Sequence, residues 1–192
     1  MKTSIRMLLT AIALAVATST HAATDGVEGT GAHATSTGTV DVTLTITPSI
    51  IVTGFSDVDF NSSTTEVPQN ICVGGTGFQE FSVDFASVNG NAVIGSGATD
   101  PFLMAGTTLT SETVPYSVEF ANSAGASAGS GIVSTDGTTG ANTFLRQASV
   151  ADCETGGVTN ATLILDIGAA FDFSALNDSE YTDVLTIQVS AN

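Results

Sequence analysis

Tryptophan is absent from this 192-residue chain, and basic residues nearly so: Lys2, Arg6 and Arg146 stand against 19 acidic residues, for a formal charge of −16. A chain of that sign repels phosphate backbones and anionic lipid surfaces, so nucleic-acid and membrane-surface binding are excluded as expectations. Histidine is as scarce. Beyond residue 22 only His33 remains, in a Gly/Thr/Ala-rich stretch with no rigid surroundings to hold a general base. Cysteine occurs twice, at Cys72 and Cys153, without the close pairing of a zinc site. No Asp-x-Asp-x-Asp-Gly run marks a calcium loop. The carboxylates at Asp57 and Asp59, which alternation would put on one strand face, and at Asp172, Asp178, Glu180 and Asp183 read as a solvated acidic face, with no Trp beside them to stack a sugar. No enzyme activity, cofactor or metal is expected.

What is present begins with an export signal. Lys2 and Arg6 precede the uncharged run Met7 to Ala17, and Thr20-His21-Ala22 offers a cleavage site before Ala23. The run is too short to stay in a bilayer as a helix. Removing Lys2 and Arg6 with residues 1–22 takes the formal charge from −16 to −18. In an exported chain the even cysteine count reads as one disulfide, Cys72 to Cys153. Asn61-Ser62-Ser63 and Asn160-Ala161-Thr162 match the glycosylation sequon, a short pattern that matters only where the transferase is present.

Residues 23–38 contain hardly a large apolar side chain and read as a flexible leader. The pattern then changes abruptly. Residues 39–47 alternate strictly, placing Val40, Val42, Leu44 and Ile46 on one face of a strand and Asp41, Thr43 and Thr45 on the other. Pro48 interrupts the ladder, and Ile50 to Val52 starts a second strand ending near Gly54. The same period runs through Phe81 to Phe85, Val114 to Phe120, Leu163 to Ile167 and Tyr181 to Val189, with shorter candidates at Asn91 to Ile94, Phe102 to Met104 and Thr143 to Leu145. Asn89-Gly90, Asp136-Gly137 and Gly156-Gly157 are turn signals. Residues 122–142 read as a long loop with one short strand near Ile132-Val133, and only Ala169 to Leu176 hints at a helical turn. Short strands without βαβ alternation predict an all-β antiparallel sandwich over residues 48–192.

The closing run, Tyr181-x-Asp183-x-Leu185-x-Ile187-x-Val189, resembles the last strand of chaperone-usher pilins of the archaic, spore coat protein U type. At the other end, an alternating strand, a proline and a first domain strand are similar to fimbrial subunits of the alternate clade. The resemblance implies an immunoglobulin-like sandwich that lacks its last strand and is completed by a strand donated from a neighbour. Val40, Val42, Leu44 and Ile46 would be the donor side chains, and Tyr181, Leu185, Ile187 and Val189 would line the acceptor groove. It further implies a structural subunit of a bacterial surface fibre, with roles in adhesion or biofilm formation. The partners would be like subunits joined head to tail, a periplasmic chaperone that covers the groove before assembly, and an outer-membrane usher. The route would run through the periplasm to an extracellular fimbria. The alternative is a self-contained secreted binding module or adhesin, in which residues 39–47 pair within their own domain.

Overall fold

The computed structural model describes residues 24–90, 101–134, 137, 139 and 142–192; the expected export signal at 1–22 and the strand candidate Asn91 to Ile94 lie outside the described residues, as does Asp136 of one predicted turn. The chain divides between Thr45 and Ile46 into two units. In the leading unit Thr24 and Thr39 form an antiparallel bridge, each N–H donating to the other's carbonyl at 3.0 and 2.9 Å. A turn lies inside it, with the Ala34 N–H on the Gly31 carbonyl at 3.2 Å, so the leader doubles back on itself. Residues 40–45 form no strand, contrary to the expectation from their alternation. Val40, Val42 and Leu44 are 73, 89 and 83% exposed. The physical reason is that period 2 sorts side chains onto faces but supplies no ladder partner for the backbone, and without one a lone strand is not stable.

The regular elements of the second unit are almost all strands. In chain order they are β1 (Ser49–Thr53), β2 (Glu66–Thr76), β3 (Glu80–Ser87), β4 (Leu103–Gly106), β5 (Thr113–Pro115), β6 (Ser117–Ala121), β7 (Ile132–Ser134) and β8 (Phe144–Leu145), then the short helix α1 (Val150–Glu154), then β9 (Ala161–Asp166), a 3-10 turn at Phe173–Ala175, β10 (Tyr181–Thr182) and β11 (Leu185–Ala191). One sheet has the order β1-β2-β9-β6-β7, and two smaller ones are β11-β3-β8 and β10-β4-β5. Every pairing between named strands is antiparallel. The chain is therefore an all-β antiparallel sandwich, as its periodicity predicts.

Alternation explains the core directly. Phe81, Val83 and Phe85 of β3 meet Ile71 and Val73 of β2, Val118 and Phe120 of β6, and Leu163 and Leu165 of β9. Phe120, Phe144 and Phe81 pack at centroid separations of 4.7 to 6.1 Å, with Phe120 edge-to-face on both of the others, contacts that add to the area they bury. The five-stranded sheet is covered on its outer face too. Thr162 and Ile164 of β9 point away from the core yet are fully buried. The loop after β6 lies there: Thr162 donates its hydroxyl to the Ser123 carbonyl (2.8 Å), and Glu119 accepts the Gly129 and Gly131 N–H groups. It belongs to the 122–142 stretch, whose one strand among the described residues is β7.

Three local features depart from the periodicity. Val114 to Phe120 is not one strand: it leaves the β4-β5 sheet after Pro115 and joins the large sheet from Ser117. Pro115 has no N–H to give to a ladder, so a change of sheet there leaves no donor orphaned. Tyr181 to Val189 likewise breaks at Asp183, so Tyr181 sits in a different sheet from Leu185, Ile187 and Val189. The third is the longest strand, β2, whose Pro68 and apolar-polar mixture hide it from a period-2 scan. Pro68 is tolerated because that stretch pairs only with β9, β1 covering no further than Cys72.

The predicted disulfide is present, Cys72 to Cys153, with the Cα atoms 5.5 Å apart. It clamps α1 onto β2. That helix was not expected, although Ser149-Val-Ala-Asp152 is a capping box: the Asp152 N–H donates to the Ser149 hydroxyl, and the Ser149 N–H donates to the Asp152 carboxylate. Gly74 lies directly beneath; a Cβ there would stand 2.3 Å from the Ser149 carbonyl oxygen and 2.6 Å from Cys153 Sγ. The β2–β3 arch carries Phe78 into the core across Gly77 (φ +80), and Arg146 holds it by donating to the Phe78 and Gly75 carbonyls at 2.9 and 2.8 Å.

Candidate functional site, a groove between two sheet edges

β1 and β11 are the edge strands of their sheets, and their Cα atoms come within 8 Å of each other at one margin of the sandwich. Among the described residues no backbone hydrogen bond joins them. Where β1 ends, at Thr53, the margin opens into a cavity of about 1000 Å³. One wall is residues 55–61, the other runs from Asp178 to Ile187, and Met104, Val114, Tyr116, Leu163 and Leu165 make the floor.

The side chains of this margin are half-buried where a closed sandwich would bury them fully. Ile50 and Val52 of β1, Leu185, Ile187 and Val189 of β11, and Val58, Phe60, Met104 and Ile167 all pack on the core while retaining contact with solvent. Along β11 the apolar residues alternate with exposed Thr186 and Gln188. A strand of seven residues presents roughly 23 Å of edge at about 3.3 Å per residue. Such an edge combines unpaired backbone groups with a row of apolar pockets, the two elements that an added strand uses.

Of the four residues expected to line the groove, Tyr181, Leu185 and Ile187 border the cavity, and Val189 packs on the core further along β11. Tyr181 does so from β10, and its hydroxyl donates to Glu112 at 2.5 Å. That bond, with those from the Asn177 side chain and N–H, holds the Glu112 carboxyl down at about 2. Asp178 accepts the Leu109 and Thr108 N–H groups at 2.7 Å each, which keep its carboxyl below the usual range as well. Together they tie the β4–β5 hairpin to the wall before β10.

The periodicity does not reveal the residue that organises this wall. Asp183, at the break between β10 and β11, accepts the Ser87 and Tyr116 hydroxyls on Oδ2 at 2.6 Å each and the Asn89 N–H on Oδ1 at 3.0 Å. Burial, followed by the hydrogen bond to Asp183, raises the Tyr116 phenol far above its ordinary value, so it remains a donor. A signal was available: Asp183 is the one acidic residue among the inward positions of an otherwise apolar alternation.

The remaining candidates lie elsewhere. Asp57 and Asp59 are exposed on the 55–61 wall, which is not a strand, so they share no strand face. Asp172 caps the 3-10 turn. His33 is exposed in the leader turn at φ 69. Asn160 of the second sequon is buried, and its amide bonds both the Val73 N–H (2.9 Å) and the Val73 carbonyl (2.8 Å), which leaves no free amide for a glycan in the folded chain. Among the described residues no group of three His, Cys, Asp or Glu side chains could hold a metal, and no helix is long and apolar enough to cross a membrane. No protein-family model matches the sequence, and no curated protein matches it either.

Proposed function

We propose that this chain is the structural subunit of a bacterial surface fibre, a chaperone-usher type fimbria, in which residues 39–47 of one copy fill the groove of the next. The observation that carries the reading is a pairing within one sequence. The sandwich has two facing sheet edges and a half-buried apolar row, and the same chain has a nine-residue apolar alternation in which residues 40–45 form no strand and Val40, Val42 and Leu44 are exposed. Each half lacks what the other supplies.

The connection between them favours a neighbour over self-filling. To lie beside its own β1 as a hairpin, the segment would have to reverse through Thr47-Pro48. Two-residue hairpin loops need positive φ, typically from Asn-Gly, whereas Pro48 is held near −65° and pushes Thr47 toward extended backbone. A contact between a groove at one place and a strand at another is heterologous, so it propagates head to tail into an open filament. Export through the periplasm, a chaperone that shields the groove, an outer-membrane usher and a role in adhesion or biofilm formation complete the proposal. It assigns no catalytic step.

Leu44→Asp tests the reading. Because Leu44 is exposed, the monomer should melt as the parent does, while filaments seen by electron microscopy and the high-mass species in size exclusion disappear. A self-contained binding module would give the opposite result, with a lowered melting temperature and an unchanged assembly state.

A further inference from the structure

We infer that filling of this groove by the 39–47 segment of a neighbouring copy is gated by ionic strength, an inference that rests on the strand-exchange reading above. The groove floor is apolar, but its rim is acidic on both sides: Asp57 and Asp59 on one wall, Asp178 and Glu180 on the other. Lysine and arginine are missing from the residues that border it. The incoming segment brings a further carboxylate, Asp41, on the face opposite its apolar row, so a seated strand directs Asp41 outward at the level of the rim. Asp178 stays ionised under the hydrogen bonds it accepts from Leu109 and Thr108.

Among the described residues that border the groove, no strong cation faces the rim carboxylates. Beyond residue 22 the chain has one strong cation, Arg146, and its guanidinium is engaged with the Phe78 and Gly75 carbonyls and lies over the Phe78 ring at 5.8 Å. The two bodies that must meet carry the same strong negative charge, a formal −16 for the whole sequence. Apolar burial and backbone pairing drive the contact at short range, while the like charge opposes approach over a distance set by salt. That distance is about 30 Å at 0.01 M and about 3 Å at 1 M, so repulsion spans the whole groove in dilute salt and is confined to adjacent side chains in concentrated salt. Subunits would therefore stay apart in dilute surroundings and join where salt is plentiful.

The probe is a fluorescein-labelled peptide of residues 39–47, titrated into the full chain as recovered from cells, at a concentration where that chain is monomeric. In sodium chloride from about 0.01 M to about 1 M the dissociation constant should fall roughly tenfold. With an Asp41→Asn peptide and a D57N/D59N chain the fall should shrink to about twofold, while affinity in dilute salt rises. The peptide variant involves no refolding, so its reduced salt response alone supports the inference. Equal salt responses in parent and neutralised pairs would show ordinary salting-out and overturn the gate. Affinity that weakens with salt overturns it too. A peptide that binds saturably at no salt concentration refutes strand exchange itself, an outcome distinct from both of the others.

Discussion

Replacing Cys72 and Cys153 together by alanine removes a link between residues 81 positions apart. Closing a loop of that length in the unfolded chain corresponds to about 4.5 kcal/mol at 25 °C on chain-entropy grounds. Both cysteines are almost fully buried against Ala148 and Ile51, so loss of the sulfur contacts adds about 1 kcal/mol. The total is comparable to the whole net stability of a modest domain. For a chain of this size it corresponds to a fall in melting temperature of roughly 10–20 °C. Urea unfolding of the double variant beside the parent measures it. If the constraint acts on the unfolded state, the denaturant slope should rise as well, because an unlinked chain exposes more surface. Locally α1 should lose hydrogen-exchange protection first, since five residues cannot sustain a helix once Cys153 no longer anchors it to β2. A loss under about 1 kcal/mol with an unchanged slope would refute the reasoning.

Three further perturbations probe the groove and its supports. Glu112 has its carboxyl lowered from 4.5 to about 2 in the folded chain, so the stability it contributes is complete above the unfolded value and drains away as pH falls toward 2; Glu112→Gln should be less stable at neutral pH and show a shallower acid decline of the melting temperature. Equal acid limbs for parent and variant would count against the Tyr181 and Asn177 bonds as the cause. Asn160→Ala strands both the N–H and the carbonyl of Val73 in the interior and should cost about 2–4 kcal/mol in urea unfolding. Asp183→Ala leaves the Ser87 and Tyr116 hydroxyls without their acceptor and should cost about 1–3 kcal/mol, and it should also weaken capture of the 39–47 peptide; full peptide affinity in that variant would show that Asp183 does not shape the groove.

Much of the fold is legible from alternation because a half-buried strand must sort its side chains by face. Phe81 to Phe85, Leu163 to Leu165 and Leu185 to Val189 read directly, and an even cysteine count behind an expected export signal gives the disulfide. Period fails at β2, a strand buried on both faces, since its outer residue Cys72 is covered by α1. It fails again at Val40 to Ile46, where the pattern is clean and the strand is absent from the single chain. On the proposed reading, alternation there records which side chains a neighbour buries, and the surface that would bury them is not part of the local sequence.

The two places where one alternating run divides between two sheets turn out to be one structural device. β5 passes into β6 at Tyr116, and β10 passes into β11 at Asp183. Both residues line the cavity, and the Tyr116 hydroxyl donates to Asp183 Oδ2 at 2.6 Å. The bond joins the two crossovers, so the strand that gives the groove its floor and the strand that gives it a wall are fixed to each other at the point where each changes sheet. Without such a link, β11 would be free to close on β1 and bury Leu185 and Ile187 within its own sandwich, since hydrophobic burial rewards closure. Held open, the same residues stay half-buried, and on the proposed reading the gain from covering them falls to the donated strand.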